Sequence, residues 1–131
     1  PYIIASALKG VISQRLVRKI CDSCREPDEI DPELARRLGP LFSQGKIAAF
    51  KGKGCSHCSY SGYQGRYPIH EVFVISDRIM DLLSSGAGLA EIRRTAAEEK
   101  NTSLIEDACL KVRKGYTTAS EILRVLGPQI T

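Results

Sequence analysis

The sequence has no Trp, three Phe, five Tyr, one Met and two His among its 131 residues. So few rings leave little of the stacking surface that holds single-stranded nucleic acid, although Lys and Arg outnumber Asp and Glu by 19 to 15. No apolar run reaches the ~18 residues of a membrane span. The partly apolar opening is interrupted by Lys9, Arg15, Arg18 and Lys19, so it also lacks the unbroken apolar segment of a secretory leader. Common catalytic patterns are missing as well. There is no GxxxxGK[ST] phosphate loop, GxSxG elbow, HExxH pair or Asp-rich calcium loop, and Gly52-Lys53-Gly54 is too short to imitate the first. The carboxylate pairs Glu98-Glu99 and Glu106-Asp107 have basic neighbours, the pattern of a solvated helix face.

What remains reads as globular. A 43% hydrophobic and 26% charged composition is near the average for folded domains, and the length suits one modest core, or a core with a small subdomain. Charge is uneven: residues 1–70 hold 11 Lys/Arg against 6 Asp/Glu, whereas residues 71–131 hold 8 against 9. A basic first half suits an anionic surface without choosing one. The chain opens on Pro1-Tyr2-Ile3-Ile4 with no initiating Met, and reads as a piece of a longer polypeptide.

Along the chain, Ile4, Leu8, Val11, Ile12, Leu16 and Ile20 recur at intervals near three and four, which predicts an amphipathic helix over residues 1–20. A shorter helix is expected within 28–44, capped by Asp31 with Pro32 in its first turn and broken at Gly39-Pro40. Strands are expected at 46–50 and 67–75, the second placing Pro68 at an edge or a strand start. Four short helices follow. Ser76 caps the first and Gly86 ends it; the second carries Leu89, Ile92 and Ala96. Ser103 with Glu106 and Thr118 with Glu121 have capping-box spacing, and Gly115 and Gly127 act as stops. The fold class expected is mainly α with a small β element.

Chemistry concentrates in Cys21-Asp22-Ser23-Cys24 and Cys55-Ser56-His57-Cys58, two CxxC pairs separated by 30 residues. Two such turns supply four thiolates around one ion, the tetrahedral shell that zinc prefers. The expected metal ligands are therefore Cys21, Cys24, Cys55 and Cys58, closing a structural site with no position for a catalytic water. Spacing alone does not separate zinc from rubredoxin-like iron. Redox dithiols remain an alternative, although no βαβ setting surrounds either pair, and structural disulfides need an oxidising compartment. His57 is surplus to a filled shell, His70 reads as a packing residue, and Cys109 reads as a small buried hydrophobe.

Three stretches carry a resemblance. Residues 5–24, with Gln14-Arg15-Leu16-Val17-Arg18 ahead of the first pair, are similar to the QRLVR-x-x-C-x-x-C region of type II secretion and type IV pilus assembly ATPases. Gly54–Arg66 resembles that family's GCxxCxxxGYxGR signature, followed by Ile69-His70-Glu71, and residues 110–125 resemble its closing helices. The resemblance implies a hexameric bacterial ATPase, cytoplasmic and peripheral to the inner membrane. Such an ATPase acts with an inner-membrane platform protein and a membrane-anchoring protein to assemble pili or pseudopili. It implies a division into residues 1–20, a helix from the end of the ATPase core; 21–66, a four-cysteine zinc-binding subdomain; and 67–131, a strand and helical tail. It also implies that Zn2+ is structural and that ATP and Mg2+ bind only in the full-length parent, because the nucleotide motifs lie upstream. This part then has no catalytic residues and hydrolyses nothing alone. The competing expectation is a free-standing zinc-ribbon-like module for nucleic acid or protein. The thin aromatic content argues against nucleic acid, and none is expected as a partner.

Overall fold

The computed structural model describes residues 7–45 and 47–128. Strand β1, Gly10–Ile20, is followed by a single 3-10 turn, Asp22–Cys24, and strand β2, Arg25–Asp28. Helices α1 (Pro32–Leu38) and α2 (Pro40–Ser43) lead to β3 (Ala49–Gly52), a second 3-10 turn (Ser56–Cys58) and β4 (Tyr63–Val74). Four helices complete the chain: α3 (Asp77–Ser85), α4 (Leu89–Glu98), α5 (Leu104–Arg113) and α6 (Ala119–Leu126).

The expected mainly helical class is corrected by these elements. The fold is mixed α/β with two two-stranded sheets, β1–β4 and β2–β3, and the longest elements are the 11-residue β1 and the 12-residue β4. The cause lies in the opening segment. Its first six residues are outside those described, but Gly10–Ile20 is a strand and not the second half of a helix. Val11, Ile12 and Leu16, assigned to one buried helical face, are 45%, 70% and 47% exposed, whereas Val17, left off that face, is fully buried. A gapped apolar pattern fits both periods. β-branched Val11, Ile12, Val17 and Ile20 favour the extended form, and pairing with β4 satisfies the backbone that a helix would otherwise satisfy itself.

The sheets are antiparallel ribbons. Ile75 N–H donates to the Lys9 carbonyl at 3.1 Å and Cys21 N–H to the Gly62 carbonyl at 3.0 Å, at opposite ends of the β1–β4 pair. In the second ribbon Arg25 pairs with Gly52 and Asp28 with Ala49. There Lys51 lies 3.1 Å from Asp28 and 3.9 Å from Glu26 across the strands. β4 starts four residues earlier than the expected strand, because Tyr63–Arg66 are already extended.

The helices follow their sequence signals more closely. Asp31 accepts the Leu34 N–H at 3.0 Å and Ser76 the Ile79 N–H at 3.2 Å, and left-handed Gly86 receives the end of α3. Two compact units result. One combines residues up to Ser13 with His70–Ser103, around Ile75, Ile79 and Ala96. The other combines Gln14–Ile69 with residues from Leu104 onward, around Val17, Leu38, Phe42, Ile69, Val112 and Ile122. Cys109 belongs to this second core, 5% exposed with Sγ 3.6 Å from the Leu41 carbonyl, as a small hydrophobe should.

Candidate metal centre

The handover points between strands place the cysteines. Cys21 directly follows β1 and Cys24 precedes β2, while Cys55 and Cys58 lie between β3 and β4. Each pair spans a 3-10 turn, whose three residues per turn bring the side chains at i and i+3 to the same side. The second turn is completed by Ser59 and Tyr60 in the left-handed region, φ 50° and 61°, which lets Tyr60 N–H reach back to the Cys55 carbonyl at 2.8 Å.

The two turns are held together by backbone. Lys53 N–H donates to the Cys24 carbonyl at 3.0 Å, as Cys21 N–H does to Gly62. Gly52 and Gly62 cross so closely that a Cβ built on Gly52 would lie 2.0 Å from the Gly62 carbonyl oxygen. Only glycine pairs permit such an approach.

The four Sγ atoms all lie within 4.8 Å of one another. Cys21 and Cys55 are 3.9 Å apart, Cys24 and Cys58 3.9 Å, and Cys55 and Cys58 3.8 Å. A tetrahedron with a metal–sulfur bond of about 2.3 Å has sulfur–sulfur edges of about 3.8 Å. These three of the six edges match that shape, with the others within 4.8 Å, and all three are far from the ~2.05 Å of a disulfide. The donor set therefore fits a tetrahedral metal ion.

Amide groups complete the surroundings. Gly54 N–H points at Cys24 Sγ, and the N–H groups of Cys55 and Gly62 at Cys58 Sγ, each at 3.3 Å. Such bonds orient thiolates and spread their charge. They act unequally. Burial pushes the Cys24 thiol up to about 12 despite the Gly54 amide, and the other three cysteines push the same way. The Cys55 N–H, with help from the Gly62 N–H, instead holds Cys58 down to about 6 against burial. A cluster with one favoured thiolate is a starting point for a cation, whose binding displaces the other protons. His57, exposed in the second turn, is not among the clustered donors.

Glu121 has a second role that its local sequence does not show. Its spacing to Thr118 predicts only a capping box. Thr118 Oγ1 does accept the Glu121 N–H at 3.1 Å, but the Glu121 carboxylate goes elsewhere. Fully buried, it accepts the Arg18 N–H at 2.9 Å, Arg18 Nε at 2.9 Å, and Arg124 Nε and Nη2 at 2.8 and 2.6 Å. Arg18 also stacks over the Tyr63 ring, 4.2 Å from its centroid. Burial alone would raise the Glu121 carboxyl, but the Arg124 and Arg18 guanidiniums and the Arg18 amide outweigh it and hold it at about 2. Its contribution to stability is therefore full above pH 4.5, the ordinary value, and is lost as pH falls towards 2. Glu121→Gln is expected to lower stability at pH 7 by about 2–3 kcal/mol and to flatten the acid limb between those values. Denaturant titrations at pH 7, 4.5 and 3 check this; parallel losses in variant and parent across that window would contradict it.

Comparison with known proteins follows the same residues. The family model for "Type II/IV secretion system protein" matches residues 1–124. The chain is 41% identical over 126 residues to the type IV pilus assembly ATPase PilB of Thermus thermophilus, covering 94% of this chain and 14% of that protein. It is 36% identical over 125 residues to the type II secretion system ATPase E of Vibrio cholerae, covering 95% and 24%. A third relative, the protein transport protein HofB homolog of Escherichia coli, is 34% identical over 126 residues, covering 96% and 26%. The chain thus spans about a quarter or less of the length of these relatives. Among the described residues, no helix is long and apolar enough to cross a membrane.

Proposed function

Because the chain belongs to the type II/IV secretion system protein family, we propose that it is the C-terminal, zinc-carrying part of a cytoplasmic ATPase that powers type II secretion or type IV pilus assembly. In this reading Cys21, Cys24, Cys55 and Cys58 hold one structural Zn2+. The observation that carries it is the set of sulfur–sulfur separations of 3.8–3.9 Å, suited to a closed four-thiolate shell.

Bound there, Zn2+ would supply fold closure and no reaction, since four thiolates would leave no position for a reactant. The residues themselves fasten four strand ends: the close of β1, the start of β2, the close of β3 and the start of β4. A motor domain upstream would then pull on a stiff unit through β1, in a homo-hexamer working against an inner-membrane platform protein and a membrane-anchoring protein. Nucleotide and Mg2+ belong to that upstream domain in this reading.

The test separates a docking part from an enzyme. Purified, zinc-loaded chain is expected to release no phosphate from ATP above buffer. Turnover that survives repurification would overturn the division of labour proposed here.

A further inference from the structure

Leu16, Val17, Arg18, Arg66 and Arg124 line an open cleft of about 380 Å3. Arg18 comes from β1, Arg66 from the neighbouring β4 and Arg124 from α6, so three stretches singled out in the sequence meet here. Like charges gathered around one cleft repel, so their convergence asks for a reason outside the fold. Glu121 answers for part of it. It grips Arg18 and Arg124 through Nε and Nη2 of each, which fixes both guanidinium planes and leaves both Nη1 groups unused by it. Arg66 has no carboxylate partner among the described residues. Three guanidiniums against one carboxylate leave two positive charges, and fixed guanidinium forks match tetrahedral oxyanions better than a flexible ammonium would.

We propose that the Arg18–Arg66–Arg124 cleft binds a phosphomonoester dianion, presented either by a small phosphorylated molecule or by a lipid headgroup. The charge of such a group near pH 7, about −1.5 to −2, matches that of the cleft. Arg18 and Arg124 receive it in a geometry already set by Glu121, and Arg66 closes on it from β4. Neither the zinc centre nor nucleotide hydrolysis is involved.

The experiment uses zinc-loaded protein and three probes: inorganic phosphate, glycerol 3-phosphate, and phosphatidylcholine vesicles with or without phosphatidic acid. Phosphate at millimolar concentration is expected to shift the Nε–H resonances of Arg18, Arg66 and Arg124 saturably and to raise the melting temperature, with chloride at equal ionic strength doing neither. Arg66→Gln alters an exposed side chain, so the variant should fold; its phosphate affinity is expected to fall at least tenfold. Tighter binding of glycerol 3-phosphate without Arg66-dependent vesicle binding identifies a small ligand, and Arg66-dependent binding to phosphatidic acid vesicles identifies a lipid. Shifts that match those in chloride, or phosphate binding unchanged in Arg66→Gln, would overturn the proposal.

Discussion

Replacing Cys55 and Cys58 together with Ser is expected to abolish metal binding and to unfold the segment between β1 and β4. The effect should be large because a zinc site with four thiolate ligands contributes on the order of 10 kcal/mol to a small fold, comparable with the whole stability of a typical domain. The ribbon next to the centre is short. β2–β3 is a four-residue pairing, and an isolated two-stranded ribbon is marginal in water. The amides of Cys55 and Gly62, which point at Cys58 Sγ, would lose that acceptor. Hydrogen exchange should show amides of Cys21–Tyr63 opening, while α3 and α4, packed around Ile79 and Ala96 in their own core, keep their protection. Unchanged protection through Cys21–Tyr63 in the metal-free variant would contradict this.

The next largest effect is expected from Gly62→Ala. Gly62 has φ +77°, and a Cβ there would lie 2.5 Å from the Gly52 carbonyl oxygen and 3.1 Å from its carbon. Both obstacles are backbone, so no side chain can swing away. The left-handed conformation costs about 1–2 kcal/mol for a non-glycine residue, and forced overpacking about 1–3 more. A loss of about 2–5 kcal/mol follows from these two terms. Zinc affinity should fall with it, because the Gly62 carbonyl receives Cys21 N–H and its amide serves Cys58 Sγ. Gly65→Ala is the control: φ is again +77°, but nothing lies within 4 Å of the added carbon, so only the conformational term applies. Urea midpoints and competitive zinc titration for the two variants make the comparison. Equal losses would mean that the Gly52–Gly62 crossing is not what fixes the centre.

The sequence carried these features unevenly, for physical reasons. The convergence of the four cysteines was legible because a two-residue gap turns both thiols of a pair to one side, and spacing is a property of sequence. Caps were legible for the same reason: Ser76 and Asp31 act on amides three residues away. β1 was not. Its apolar positions are consistent with two periods, and the choice is made by pairing with β4, which lies far along the chain. The same holds for Glu121, whose partner Arg18 is 103 residues distant; a local capping box was visible, and the buried ion pair that takes its carboxylate was not. The crossing of Gly52 over Gly62 was equally hidden, since nothing local to either glycine signals the approach of the other.

Metal content tests the central claim most directly. Native mass spectrometry of protein purified anaerobically, with a thiol count under denaturation, is expected to show one zinc per chain. All five thiols should become reactive only after chelation and unfolding. Metal-free protein with two disulfides would contradict the closed four-cysteine site, and iron in place of zinc would contradict its purely structural role.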